Sequence, residues 1–291
     1  MSAETAADHD LGDVRGNSYA GDVWVNFKRW TRKGVRNPFI VAGAIIQPII
    51  FLVLFTQVFG GVVSGAIGEG TGTAISYETF LVPAIAIQVS LVAAASSGIG
   101  LVNDIEEGMF EKVLVSPMNR SAVFLGKSLA EFLRIAAQIL IVLVLGWVLG
   151  AQYATGILGA IGVIAIGVVF SLWFTAFTNI VALLTRDQES TIIGANLLQF
   201  PLLFVSSAFL PLTALPDWIQ TVAMFNPITY GADAARALVL GQDVMTVLEV
   251  DAFGGMWNTL VPAIAILLGI GILFGAVAVW MLNRASQTAV A

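Results

Sequence analysis

The sequence predicts an all-α, polytopic membrane protein, and three of its features carry that fold class. First, 58% of the 291 residues are hydrophobic and only 11% are charged, a balance that a soluble domain of this length does not show. Second, five long stretches carry no charge at all: 37–68, 79–103, 135–185, 190–216 and 252–283. A hydrocarbon core of roughly 30 Å takes about 20 apolar residues in a helix. The 51 residues of 135–185 would reach roughly 76 Å at ~1.5 Å per residue. They therefore cross twice, turning near Gly150-Ala151-Gln152-Tyr153. Six spans follow, at about 38–62, 79–102, 124–150, 156–184, 190–211 and 258–282. Third, twelve of the thirteen Lys and Arg residues fall on one side of that arrangement, and only Arg236 falls on the other. The positive-inside rule then places both termini in the cytoplasm, in a multi-pass protein of the cell membrane.

Residues 1–18 are acidic and polar and hold no apolar h-region, so a disordered tail is expected there rather than a cleavable signal peptide. Over 19–36 the spacing predicts a helix lying on the membrane. Val23, Trp24, Phe27 and Trp30 share one face, and Lys28, Arg29, Arg32, Lys33 and Arg36 share the other. A basic amphipathic helix with aromatics on its apolar side suits the cytoplasmic lipid interface, although plain positive-inside anchoring leaves the same pattern. Pro38 opens span 1, where its missing N–H costs nothing. Between spans 2 and 3, residues 103–116 read as a second short amphipathic helix. Ile105, Met109 and Val113 recur every four residues, Phe110 and Leu114 lie beside them, and Glu107 and Glu111 line a polar flank. Asn103 or Asp104 is placed to cap its start, and Pro117 to end it. Its apolar face either packs on the ends of the neighbouring spans or docks into a groove on a cytosolic partner; the pattern fits both.

Lys127 and Glu131, four apart at the start of span 3 with Arg134 beyond them, are expected to pair. Gly146/Gly150 and Gly271/Gly275 each form a GxxxG, a weak signal in a chain with 29 glycines. The outer segment 212–257 is too apolar for an aqueous loop, with Trp218, Ile219, Val222, Phe225, Ile228 and Leu238. It is expected to dip into the outer leaflet as short broken helices packed against protein. Asp233 and Arg236, three apart, are set to pair within it.

Several chemistries lack their residues. The chain has no cysteine, which removes disulfides, thiolate catalysis and Cys-ligated metals, and His9 is its only histidine. Gly126-Lys127-Ser128 resembles the end of a phosphate-binding P-loop. That pattern needs a glycine five residues earlier, where Ser121 stands, and the intervening Ala122-Val123-Phe124-Leu125 is apolar and helical. No charged residue is expected at mid-depth in a span, which argues against an ion-coupled transporter. Gln47, Gln57, Gln88, Gln138, Asn179, Asn196 and Gln199 suit hydrogen bonds between helices better than a catalytic role. The net charge of −6 fits either an acidic surface solvated at high salt or ordinary variation, and it points to no nucleic-acid partner.

A series of short pieces, taken in order, resembles the membrane subunits of ABC-2 type transporters, nearest in look to the drug-resistance permeases of the daunorubicin-exporter kind. The pieces are Glu107-Gly108, Glu111-Lys112, Ser116-Pro117, Arg120 and Gly126-Lys127, then Ser206-Ser207, Leu210-Pro211 and Leu215-Pro216-Asp217-Trp218-Ile219. Asn226-Pro227-Ile228-Thr229-Tyr230, Asp233 and Arg236 complete them. The resemblance covers about 20–284 and implies one transmembrane domain over 19–291. It implies a coupling helix, carrying Ile105, Glu106, Glu107, Met109, Phe110, Glu111, Val113 and Leu114, that docks on a separate ATP-binding subunit. Arg186, Asp187 and Glu189 would make a second contact with that subunit. Trp24, Phe27, Lys28, Trp30, Arg32, Lys33 and Arg36 would form the interfacial helix. Pro211, Pro216, Trp218, Asn226, Pro227, Asp233 and Arg236 would close the outer end as re-entrant helices. Two permeases, identical or different, and two ATPases would make an exporter, with ATP and Mg held by the partner and no cofactor on this chain. Its pathway, mostly apolar and free of charge, favours a lipophilic or amphipathic cargo: a drug, a lipid or a lipid-linked glycan. The alternatives are a self-sufficient channel or secondary transporter, and a non-transporting anchoring subunit.

Overall fold

The computed structural model describes residues 18–36, 38–71, 75–108, 120–248 and 250–288. All but the last residue of the expected acidic tail thus lies outside the described residues. Every regular element among them is helical: α1 (Tyr19–Val35), α2 (Pro38–Thr71), α3 (Tyr77–Glu106), α4 (Arg120–Val148), α5 (Gly156–Thr185) and α6 (Gln188–Phe204). A 3-10 turn (Leu212–Ala214), α7 (Asp217–Ala223), α8 (Pro227–Leu240) and α9 (Trp257–Thr288) follow. Among the described residues, four stretches are long and apolar enough to cross a membrane: Tyr77–Glu106, Ser121–Val148, Gly156–Thr185 and Trp257–Met281. A shorter apolar stretch, Ile45–Gly61, lies within α2.

The axis of the bundle is α3, which packs against α2, α4, α5, α6 and α8. Its residues 79–91 are all buried, as expected of a helix that is apolar all round. In turn α5 packs against α8 and α9. Backbones meet closely where glycine removes the side chain. A Cβ on Gly98 would stand 2.4 Å from the Thr178 carbonyl oxygen, and one on Gly146 would stand 2.4 Å from a Val82 methyl. Of the two GxxxG pairs, only Gly146 makes a tight crossing. Gly150 has φ 104 and belongs to the turn after α4, and Gly275 faces open space. That turn divides the long uncharged stretch into α4 and α5, as its length requires.

Several helix ends differ from the sequence expectation. Asn103 and Asp104 sit in the last turn of α3 instead of capping a new helix; the Asn103 carbonyl accepts the Glu107 N–H at 2.9 Å. Continuing the helix lets Ile105 pack against the cluster of Leu101, Val102 and Ala182. Gly108 then ends it in a left-handed conformation, φ 63. At its C-terminus α6 stops at Phe204, short of residue 211. Pro201 contributes no N–H to the ladder. Beyond it the Ser206 hydroxyl donates to the Leu203 carbonyl at 2.8 Å and accepts the Ala208 N–H at 3.2 Å, which competes with another turn of helix. The helices α2 and α9 instead run past the expected 62 and 282, to Thr71 and Thr288.

Candidate functional site

Most cations gather at one end of the bundle, where α1 crosses α4 at Gly126. A Cβ there would stand 2.6 Å from the Val23 carbonyl oxygen. Val23, Phe27 and Trp30 are half-buried rather than spread on lipid, because this crossing takes up the apolar face; Trp24 alone stands out, 62% exposed. The opposite flank of α1 reaches the end of α3. Lys33 Nζ donates to Asp104 Oδ1 at 3.2 Å and lies 4.0 Å from Glu107 Oε2, while Arg29 Nη2 is 3.6 Å from Asp104. Trp30 collects three cations near its ring, with Lys127 at 5.0 Å, Lys33 at 5.1 Å and Arg29 at 5.7 Å from the centroid. Lys127 also donates to the Ser97 carbonyl at 3.3 Å and lies 3.8 Å from Glu131, the pair expected from their spacing. Arg134 donates to the Ala93 carbonyl at 2.9 Å and to Ser96 Oγ at 2.8 Å. Three ionisable side chains thus turn inward within the first half of α4.

Beside this cluster, α5 passes into α6 through only Arg186 and Asp187. Arg186 takes a left-handed φ of 50. Asp187 caps α6, its Oδ2 accepting the Ser190 N–H at 2.8 Å. Hydrogen bonds from the Ser190 backbone and side chain hold its carboxyl below the usual carboxylate range. Glu106, Asp187, Gln188, Glu189, Ile192 and Ile193 line one depression of about 560 Å³. It brings together two contacts that are separate in the sequence, the end of α3 and the α5–α6 link. Within the first contact, Ile105 is committed to the bundle, while Glu106 and Glu107 are exposed. Met109, Phe110, Glu111, Val113 and Leu114 lie outside the described residues. No group of three or more His, Cys, Asp or Glu side chains among the described residues is placed to hold a metal ion.

The other end is built around Arg236, which is 2% exposed, with Asp233 at 0%. Nη1 donates to Asp233 Oδ1 at 3.1 Å and to Ser207 Oγ at 3.2 Å. Nη2 donates to the carbonyls of Ser207 at 2.6 Å and Ala208 at 2.8 Å, and Nε donates to that of Phe80 at 3.1 Å. Asp233 Oδ2 accepts the Thr246 N–H at 3.0 Å and its hydroxyl at 2.5 Å. Asn226 caps α8 through Oδ1, which accepts the Ile228 N–H at 2.9 Å, and its Nδ2 donates to the carbonyls of Leu202 and Val205. Pro227 fills the first position of α8. Tyr77 donates to the Phe209 carbonyl at 2.9 Å. The irregular, buried backbone after α6 is thereby satisfied by side chains from α3 and α8. Phe209 packs on Phe55 of α2 at 4.7 Å between ring centroids.

The expected outer residues therefore divide. Asn226, Pro227, Asp233 and Arg236 are buried in this closure, and Pro211 starts the 3-10 turn. Pro216 and Trp218 lie at the exposed start of α7, because the apolar side of that short helix turns outward. Sequence reasoning found the Asp233–Arg236 pair but missed Ser207, Thr246, Phe80 and Tyr77, whose parts depend on chain distant in sequence. It also read Asn103 or Asp104 as a cap. The surplus of cations on α1 was the one signal that an acidic partner had to lie nearby.

The model of the family described as ABC-2 type transporter matches residues 21–240. The chain belongs to that family. Among its relatives, the daunorubicin resistance ABC transporter permease protein DrrB1 of Streptomyces coeruleorubidus is 29% identical over 216 residues, 72% of each chain. A probable doxorubicin resistance ABC transporter permease protein, DrrC of Mycobacterium tuberculosis, is 28% identical over 218 residues, 75% of each chain. A putative transport permease, ycf38 of Cyanophora paradoxa, is 28% identical over 224 residues, covering 75% of this chain and 73% of that one. This ABC-2 chain is accordingly a multi-pass transmembrane subunit of an ABC export system.

Proposed function

We propose that this permease moves a lipophilic or amphipathic substrate out of the cell, driven by a separate ATP-binding subunit docked on its basic end. The observation that carries the reading is the single depression shared by Glu106, Asp187 and Glu189. A partner seated there touches the end of α3 and the α5–α6 link together. Because five other helices pack on α3, a push at its end reaches the whole bundle. The coupling segment, with Met109, Phe110, Glu111, Val113 and Leu114, follows α3 in the sequence, and Arg186 flanks the second contact. ATP and Mg belong to the partner. Six spans, cytoplasmic termini and a pair of permeases complete the assembly, and alternating access follows at their interface. The distribution of Lys and Arg supports the orientation. Charge-poor spans and the drug-resistance names of two relatives support the substrate class.

The test is to purify the tagged permease in mild detergent after expression from its native gene neighbourhood. A stoichiometric P-loop subunit that is lost in Met109→Asp/Phe110→Asp, while the variant still inserts, is the expected result. Normal transport by that variant would remove the docking assignment. A second reading, a self-contained ion-coupled transporter, is favoured by the inward-facing Lys127, Glu131 and Arg134. It requires flux in liposomes without any ATPase.

A further inference from the structure

We propose that the groove between α1 and α4 binds an anionic phospholipid of the leaflet at the basic end, its acyl chain in the groove and its phosphate on Lys28 and Arg32. The groove, about 430 Å³, is lined by Tyr19, Ala20, Val23, Trp24, Phe27 and Leu129. It does not end at α1. Leu125, Leu129 and Leu133 of α4, every four residues, are 42%, 40% and 49% exposed, so the groove opens onto an apolar stripe along a helix long enough to cross the bilayer. An occupant continuous with that stripe is a hydrocarbon chain rather than a peptide or a soluble anion. Trp24 stacks on Phe27 with ring centroids 5.5 Å apart at the lip of the groove. Such an aromatic pair suits the level between acyl chains and head groups.

Charge selects the head group. From Trp24 the positions Lys28, Arg32 and Arg36 follow at four-residue intervals along the exposed side of α1. Arg29 and Lys33, on the flank facing α3, pair with Asp104 and Glu107. Lys28, Arg32 and Arg36 form no ion pair among the described residues, and they are the cations left to face a phosphate. A zwitterionic head group would return little net attraction to them, whereas an anionic one gains on the order of fivefold in affinity per cation. The site rests on the bilayer reading and on the orientation proposed above, but not on ATPase docking. A lipid-binding measurement without ATPase or transport therefore separates its failure from failure of the exporter reading.

The experiment is native mass spectrometry of the full-length chain in mild detergent, titrated with phosphatidylglycerol and, separately, phosphatidylcholine. Wild type is expected to prefer phosphatidylglycerol on the order of 25-fold, from two cations at about fivefold each. Lys28→Gln/Arg32→Gln should bring that preference close to one, and Leu129→Trp, which fills the groove, should lower binding of both lipids. Added salt should erode the preference in wild type, a readout that needs no variant to fold. Equal binding of the two lipids by wild type, or an unchanged preference in the double variant, overturns the assignment. So does displacement of bound phosphatidylglycerol by inorganic phosphate alone.

Discussion

Arg236 has five N–H donors, and all five are used: one carboxylate, one hydroxyl and three main-chain carbonyls receive them. Removing such a side chain leaves Asp233 buried without its cation and strands the carbonyls of Phe80, Ser207 and Ala208. Breaking a buried pair from one side costs about 3–5 kcal/mol. Arg236→Met should therefore destabilise the permease by about that amount in a detergent unfolding titration. Arg236→Lys should recover only part of it, because an ammonium lacks the planar fork that reaches five acceptors. A full recovery by lysine would reduce the residue to a point charge. At the other end, Asp187 supplies a pH signature. Its carboxyl lies below the usual range because Ser190 hydrogen-bonds the charged form. The cap's contribution is then complete above the unfolded value of about 3.9 and is lost as pH falls through the lower folded value. Asp187→Asn should remove that acid-side loss in the stability profile while leaving the neutral-pH profile flat. Retention of the loss in the variant would assign it to another carboxylate. The Asp233–Arg236 pair was legible because i,i+3 spacing is a local property. Their other partners, Ser207 and Thr246, were not, because contacts 26 and 13 residues away leave no periodic trace.

Helix positions in the chain were legible from runs without charge, but their ends and their crossings were not. The uncharged stretch around α3 stops at Asn103, yet the helix continues to Glu106, because Ile105 finds apolar partners on α5 and Asp104 finds cations on α1. GxxxG spacing likewise caught Gly146 but missed comparably tight approaches. These fall at Gly98, Gly126, Gly159 and Gly167, glycines outside the two GxxxG pairs, which meet main-chain or side-chain atoms of another element. Spacing reports only that two small residues share a face; contact depends on what the neighbouring helix presents. Gly98→Ala should push α3 from α5, since its Cβ would meet main-chain atoms of Thr178 rather than a mobile side chain. It should lower the yield of monodisperse protein severalfold on size-exclusion chromatography, while Gly275→Ala, which meets nothing within 4 Å, leaves it unchanged. Equal behaviour of the two would mean that the α3–α5 crossing adapts freely.

At the scale of the whole molecule, the decisive element is the shortest candidate span. With 17 residues, α6 reaches only about 26 Å at ~1.5 Å per residue, less than a hydrocarbon core of roughly 30 Å. If it crosses, the irregular chain after Phe204 has to cover the remaining depth, and main chain there cannot be left to face lipid with free carbonyls. The polar closure answers that need: Asn226, Arg236 and Tyr77 satisfy carbonyls at residues 202, 205, 207, 208 and 209. A proline-broken short helix and a buried Arg on the side with almost no other cation are thus two halves of one solution. The topology that follows can be tested on a chain without native cysteine. Glu189→Cys and Asp217→Cys replace exposed residues on the two sides of α6. In intact cells, a membrane-impermeant maleimide should label Asp217→Cys, and should label Glu189→Cys only after permeabilisation. Gln152→Cys, exposed in the turn between α4 and α5, should behave like Asp217→Cys. Labelling of both α6 positions from the same side would show that α6 turns back within the membrane. The chain would then have an odd number of crossings, and its termini would lie on opposite sides.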